Sequence, residues 1–279
     1  VCPKCGTEGK YISTDIRPVF PEERLLLALV QGKENPHCYE NSSVWYGSGV
    51  YIIDGKKEKI SITEINKWPL DKIKAIKEDY DRLSDSIDSS YFDSNVAVFV
   101  EVNKERYNYI TEEAMRFVSS YRDQYAVEDM MVSFSGGKDS TVTSHIVNSA
   151  LGTNKVLHIF GDTTLEFPTT LEYKKRFNKN EESKGVRVLT AKNREKNFEE
   201  LCEVVGPPSR VMRWCCTVFK TGAIQKTIAS AFKDKTNILS FQGIRHSESA
   251  SRSKYERESE SPKIAKQTVA SPIIDWIDY

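Results

Sequence analysis

The sequence has no surplus of charge of either sign. Forty Lys and Arg stand against 40 Asp and Glu in 279 residues, a formal net charge of zero. Binding nucleic acid by a uniformly basic surface is thereby excluded, and any such contact has to come from a local basic patch. Long apolar runs are lacking too. None approaches the roughly 18–20 residues of a membrane span, so no membrane partner is expected. No secretory signal and no internal repeat is visible, and the chain starts at Val1. Cysteines are few and uneven. The six, Cys2, Cys5, Cys38, Cys202, Cys215 and Cys216, gather at the N-terminus and near residue 215. Clustering of this kind favours metal or redox chemistry over a disulfide scaffold. The expected compartment is cytoplasmic.

What is present divides near residue 105. Residues 1–105 read as a smaller α+β domain. Val50–Ile53 and Lys59–Ile62 flank Asp54-Gly55, a hairpin signal. Leu70–Ile87 follows Pro69 with helical spacing. The β-branched run Val96–Val102 reads as a strand. Residues 106–279 then alternate. Helices are expected at Glu112–Tyr125, Ser140–Ala150, Thr169–Asn178 and Val218–Phe232. Strands are expected at Met130–Phe134, Val156–Gly161, Val186–Leu189 and Ile238–Gly243. Alternation implies an α/β fold, a parallel twisted sheet with helices on both faces. Ser247–Lys266 is polar and reads as a mobile loop, with a solvated helix as the alternative. This domain is expected to continue beyond Tyr279.

Ser135-Gly136-Gly137-Lys138-Asp139-Ser140 lies between a strand and a helix. Gly136 and Gly137 can take backbone angles closed to other residues and let the main chain approach an anion. Their N–H groups form a nest, and the following helix adds its positive end. Lys138 brings charge, and Ser135 and Ser140 bring hydroxyls. This is not a Walker A loop, because Asp139 follows Lys138 and Val132 stands where the earlier glycine belongs. No Gly-x-Gly-x-x-Gly is present either. The loop reads as a cradle for ATP or a close adenine nucleotide.

Further runs accompany it: Gly161-Asp162-Thr163-Thr164-Leu165-Glu166-Phe167-Pro168, Arg213-Trp214-Cys215-Cys216 with Lys220, Gly243-Ile244-Arg245 with Glu248, Ser249 and Arg252, and Ser271-Pro272-Ile273-Ile274-Asp275-Trp276. Together, over roughly residues 110–279, they resemble the phosphoadenosine-phosphosulfate (PAPS) reductase family in its broad sense, within the PP-loop ATP-pyrophosphatase superfamily. That group includes the small ATP-sulfurylase subunit and the ATP-pyrophosphatase component of DNA phosphorothioation systems, the branch this chain most resembles. The resemblance implies an adenine nucleotide alpha-hydrolase-like fold. It also implies a nucleotide site drawn from Phe134, Ser135, Gly136, Gly137, Lys138, Asp139, Ser140, Asp162, Thr163, Arg213, Gly243 and Arg245. Sulfonucleotide reductases proper usually lack the full Gly-Gly-Lys-Asp-Ser loop, since their nucleotide carries no pyrophosphate there. Its presence favours ATP activation. The implied activity is an ATP pyrophosphatase that adenylates an acceptor before sulfur transfer, with DNA as acceptor and a cysteine desulfurase as sulfur donor. A sulfonucleotide reductase or sulfurylase, and a non-catalytic ATP-binding subunit, are the alternatives.

Lys138, Asp139, Arg245 and Cys216 are the candidate catalytic residues. Asp162, ending a strand beside the loop, can hold Mg²⁺ against phosphates, or simply form a turn. The fork of Arg245 suits bidentate phosphate binding, and Arg213, Lys220 and Arg252 can join it. Cys215 and Cys216 have three open readings: persulfide carriers, iron–sulfur ligands completed beyond residue 279, or buried thiols. Cys2-Pro3-Lys4-Cys5-Gly6 is a zinc-knuckle pattern, with Cys38 or His37 as a third ligand. His145 and His158 read as satisfied core histidines. Trp45, Tyr46, Tyr51 and Trp68 read as core aromatics of the small domain.

Overall fold

In the computed structural model, which describes residues 6–9, 16–177, 179–180, 184–261 and 266–277, a two-residue turn sets the register of the first sheet. Asp54 and Gly55 both take positive φ, 47° and 81°, the twist-matched hairpin geometry. Ile53 is therefore paired directly with Lys56. The antiparallel sheet runs β1 (Ile16–Pro18), β2 (Val44–Gly47), β3 (Val50–Ile53), β4 (Lys56–Glu58). The expected second arm, Lys59–Ile62, is corrected to Lys56–Glu58, because a tight turn leaves no spare residues before pairing begins. Ser61 instead caps α2 (Ile62–Ile65), its Oγ accepting from Glu64 N at 3.3 Å. α1 (Pro21–Val30) covers the sheet through Leu27 and Ala28, against Val19, Val44 and Ile53. α3 (Leu70–Leu83) ends before the expected Ile87, in a 3₁₀ turn at Ser84–Ser86.

Val96–Val102 is not a strand but the second half of α4 (Ser90–Val102). Phe92 lies 5.5 Å from Phe20 and Phe99 6.2 Å from Trp45, ring to ring. Seven residues apart on a helix, both face one way. That shared contact overrides the β propensity of the valines. α5 (Lys104–Ser119) starts and ends earlier than the expected Glu112–Tyr125. Within it the chain passes from one compact unit (Val1–Asn108, with Ile277–Tyr279) to the other (Tyr109–Trp276).

The second unit holds a six-stranded sheet in the order β7-β6-β5-β8-β10-β9. Its strands are β5 (Met130–Phe134), β6 (Leu157–Asp162), β7 (Val188–Lys192), β8 (Ile238–Gln242), β9 (Glu258–Glu260) and β10 (Gln267–Ala270). Five run parallel; β9 pairs antiparallel with β10, so the sheet is mixed. Alternation along β5 divides the core. Met130 and Val132 join Ile146, Val147, Leu239 and Phe241 on one face, and Met131 joins Ile159, Ala223 and Ile228 on the other. Burial on both faces is the mark of a parallel strand between helical layers. α5 and α6 (Lys138–Leu151) cover the first face, and α9 (Gly222–Ala231) the second. α7 (Pro168–Phe177) and α8 (Phe198–Val205) complete the unit.

Two further expectations shift. The third strand lies at Val188–Lys192, not Val186–Leu189, because Gly185 turns the chain at φ 87° and pairing starts at His158 opposite Val188. The polar segment Ser247–Lys266 is no featureless loop: it carries a 3₁₀ turn at Arg252–Lys254 and the edge strand β9. Arg257 ties it down with two bonds to Glu113, at 2.5 and 2.8 Å. A short, charged strand is a common way to finish an open sheet edge.

Candidate functional site

The chain runs outward from β5 through β6 to β7, then returns to place β8 on the other side of β5. In a parallel sheet a crevice opens beyond the carboxyl ends of two strands at such a reversal, and ligands bind there. Ser135–Ser140, the expected phosphate loop, lies at this point. Gly136 takes φ 74°, and a Cβ added there would lie 3.2 Å from Thr170 Cγ2, so shape and space both call for glycine. The loop is pre-formed by its serines. Ser140 Oγ is 3.1 Å from Ser135 Oγ, accepts from Ser135 N at 3.2 Å and reaches Gly137 O at 3.0 Å. Ser140 is buried, whereas Ser135, Gly137 and Lys138 are exposed. The hydroxyl scaffold is inside, and the groups expected to face an anion are outside. α6 starts at Lys138, so the positive end of its dipole lies at this loop.

Across the reversal, β8 leads into Gly243 and Arg245. A Cβ on Gly243 would lie 2.7 Å from the carbonyl carbon and oxygen of Asp139. The glycine thus lets the β8 loop press on the first turn of α6. Arg245 is buried at 4% exposure. Its Nε lies 3.0 Å from Asp139 Oδ1, its Nη2 3.5 Å from Asp139 Oδ2, and its Nη1 3.3 Å from Ser247 Oγ. Its backbone N–H donates to Glu248 Oε1 at 2.9 Å, and Glu248 also pairs with Arg252. Asp139 therefore orients Arg245, a role in which its carboxylate is already occupied.

Asp162 ends β6 one strand from the loop. Its Oδ1 accepts from Thr164 N at 2.9 Å and its Oδ2 is 3.5 Å from Lys192 Nζ. The turn-forming role is thus realised, and Oδ2 is left facing a cation at long range. A Mg²⁺ ion carrying substrate phosphates and its own waters needs only one or two carboxylates, and Asp162 can supply one. Among the described residues no group of three or more His, Cys, Asp or Glu is disposed to hold a metal. The described residues bring no further ligand to Cys215 and Cys216; the rest of an iron–sulfur ligand set was expected beyond residue 279. Cys2 and Cys5 lie outside the described residues, and Cys38 is half-buried with its thiol pKa pushed up by burial.

Other expected residues are placed differently. The Phe134 side chain is buried, 4.4 Å from the Phe177 ring, so any nucleotide contact from it would be through its backbone. Thr163 Oγ1 donates to Glu166 at 2.8 Å, inside the turn after β6. Arg213 Nη2 is 3.6 Å from Cys216 Sγ. A π-helical segment, Cys216–Thr221, follows, where a single helix Val218–Phe232 was expected. A Cβ on Gly222 would lie 2.9 Å from Thr217 O, which shows how closely the wide turn is packed. His158 is the satisfied core histidine expected, with Ser144 Oγ at 2.7 Å and Val156 O at 2.9 Å; burial lowers its pKa to about 4. His145 is instead exposed, on the outer side of α6.

Three features were not legible in the sequence. Thr164 takes φ 66°, unusual for a β-branched residue, and its hydroxyl accepts from Phe198 N at 3.1 Å. Thr170 closes over Gly136 from α7. Lys174 lies over the Phe160 ring at 4.5 Å and donates to Thr190; burial lowers its pKa, with Lys192 adding to the effect and Asp162 opposing it.

Comparison with known proteins bears on this crevice. Residues 129–278 match the family model for the phosphoadenosine phosphosulfate reductase domain. Two uncharacterized proteins of Methanocaldococcus jannaschii are similar. One is 32% identical over 197 residues, 71% of this chain and 37% of the relative. The other is 30% identical over 180 residues, 64% of this chain and 41% of the relative. The matched segment thus spans less than half the length of either. Among solved structures, a phosphoadenylyl-sulfate reductase from Candida auris shows 12% identity over 59% of this chain and 80% of its own, with a TM-score of 0.39. An FMN adenylyltransferase from Candida glabrata, bound to FMN and an ATP analogue, shows 15% identity over 60% and 52%, with a TM-score of 0.42.

Proposed function

Because the chain belongs to the phosphoadenosine phosphosulfate reductase domain family, we propose that its crevice binds ATP, transfers the adenylyl group to an acceptor and releases pyrophosphate, preparing the acceptor for sulfur transfer. The observation that carries this reading is the complete, pre-formed Ser135–Ser140 loop, with Gly136 at φ 74° and the start of α6 open beside it. Such a cradle suits a nucleotide that still carries its β and γ phosphates.

In this reading the positive N-terminal end of α6, together with the Lys138 ammonium, holds the pyrophosphate part. An acceptor oxygen attacks the α phosphorus, the α–β bridging bond breaks, and pyrophosphate leaves with the bridging oxygen's electron pair. The helix end, Lys138 and Arg245 stabilise the charge that develops there. Arg245 is held ready by Asp139, so no reorganisation is needed as the charge forms. Mg²⁺, held by Asp162, would neutralise phosphate charge. The terminal sulfur of a persulfide then attacks the adenylated phosphorus and displaces AMP with its bridging oxygen, and a thiol reductant cleaves the remaining S–S bond to free the thio product. The acceptor proposed is a nucleic-acid backbone phosphate, as in DNA phosphorothioation, with sulfur supplied by a cysteine desulfurase. Cys216, whose Sγ lies 3.6 Å from Arg213 Nη2, is the proposed sulfur relay.

The test is pyrophosphate release from ATP and Mg²⁺, with and without DNA. Lys138→Ala is expected to lower the rate by about 10²-fold or more. Full activity in that variant would sink the reading. Sulfite release from adenylyl sulfate with a thiol reductant would replace it with sulfonucleotide reduction.

A further inference from the structure

A groove of about 1020 Å³ runs along the outer edge of the second unit's sheet, between β7 and α9. It is lined by four cations, Arg187, Lys192, Arg194 and Lys226, and one acid, Glu195. In a chain of zero net charge this is a local concentration of one sign, not a share of a general surplus. Arg187, Arg194 and Lys226 are exposed, and no carboxylate among the described residues forms an ion pair with them. Hydroxyls of Thr190 and Ser230 add uncharged donors.

We infer that this groove holds the phosphodiester backbone of a nucleic acid. Cations interspersed with hydroxyl donors match a chain of phosphates. The described lining contains no aromatic side chain, so it offers no stacking platform for bases. Recognition is of backbone, independent of sequence. The groove also leads to the nucleotide crevice. Lys192, at its inner end, is paired in register with Asp162 at the end of β6, and β5 with its loop is the next strand. With strands about 4.8 Å apart, the groove mouth lies about 10 Å from the Ser135–Ser140 loop. The groove therefore delivers a backbone phosphate as acceptor, a consequence that rests on the adenylation reading, whereas backbone binding does not.

The experiment uses the full chain with a short fluorescent DNA duplex, the matching single strand and the equivalent RNA, titrated across salt concentrations without ATP. On duplex, four phosphate contacts predict a log–log salt slope of about −3 to −4. The double variant Arg187→Gln/Lys226→Gln is expected to lose about two units of that slope and to bind at least tenfold more weakly at physiological salt. Its thermal midpoint and its binding of a non-hydrolysable ATP analogue should stay unchanged. Which of the three probes binds most tightly identifies the natural chain. An unchanged slope in the double variant would overturn the inference. So would displacement of DNA by an equal charge concentration of polyglutamate, which would assign the groove to an acidic protein. If wild type binds DNA through the groove yet releases no pyrophosphate with it, the groove stands and the adenylation reading falls. If the double variant still shows full DNA-stimulated pyrophosphate release, the reading stands and the groove falls.

Discussion

A side chain at position 243 would have no room. Its Cβ would lie 2.7 Å from Asp139 C and O and 2.9 Å from Ser140 N, all backbone atoms of the first turn of α6. Backbone cannot swing aside as a flexible side chain can, so Gly243→Ala has to push β8's exit loop and α6 apart. Overpacking of this kind costs about 1–3 kcal/mol. It would also move Arg245 away from Asp139, whose carboxylate it meets at 3.0 Å. The expected result is a lowered unfolding midpoint together with weakened ATP binding, read by denaturation and by calorimetry. Unchanged affinity would show that Arg245 is not placed by this contact. Gly243 and Arg245 were legible in the sequence as members of a motif. Their joint dependence on Asp139 was not, because residues 106 positions apart meet only after the sheet has formed.

At the scale of elements, α8 begins on local chemistry that closes on itself, a helix not among those expected from the sequence. Asn197 accepts from Glu200 N at 2.9 Å, and Glu200 returns a bond to Asn197 N at 2.7 Å, a complete capping box at the start of α8. Asn197→Ala is expected to cost about 1 kcal/mol, checked by equilibrium denaturation, with Glu200→Ala giving a similar loss and the double variant less than the sum. α8 carries Phe198, whose ring stacks on Trp214 at 5.5 Å, so the Arg213–Cys216 segment should loosen with it. α4 shows the opposite case. Its valines favour a strand locally, and the helix is decided by Phe92 and Phe99 meeting partners on one face. The β9 edge strand is a third kind: Glu-Ser-Glu has no strand signal of its own, and pairing with β10 creates it.

For the molecule as a whole, pH sensitivity follows from one buried group. Burial holds the His158 pKa near 4, against an ordinary 6.5. Above pH 6.5 the ring is neutral in both folded and unfolded chains, and no stability is lost. As pH falls from 6.5 towards 4, the unfolded chain takes up a proton that the folded one refuses, so stability is lost across that window. The loss amounts to about 3 kcal/mol. Denaturation midpoints between pH 7 and pH 4.5 should therefore fall, and His158→Gln should flatten the dependence by about one proton. Equal slopes in both proteins would show that His158 titrates freely in the fold.

The sequence by itself determined the glycine turn at Ser135–Ser140, the strand and helix around it, and the alternation that makes a sheet with helices on both faces. Each of these is encoded in a short contiguous stretch, by residue spacing, glycine and local hydrogen bonding. Only the tertiary structure decided that β8 returns beside β5, that Asp139 is committed to Arg245, that Asp162 closes a turn, and that scattered cations converge between β7 and α9. These depend on strand order and on contacts between residues distant in the chain, which no local pattern records.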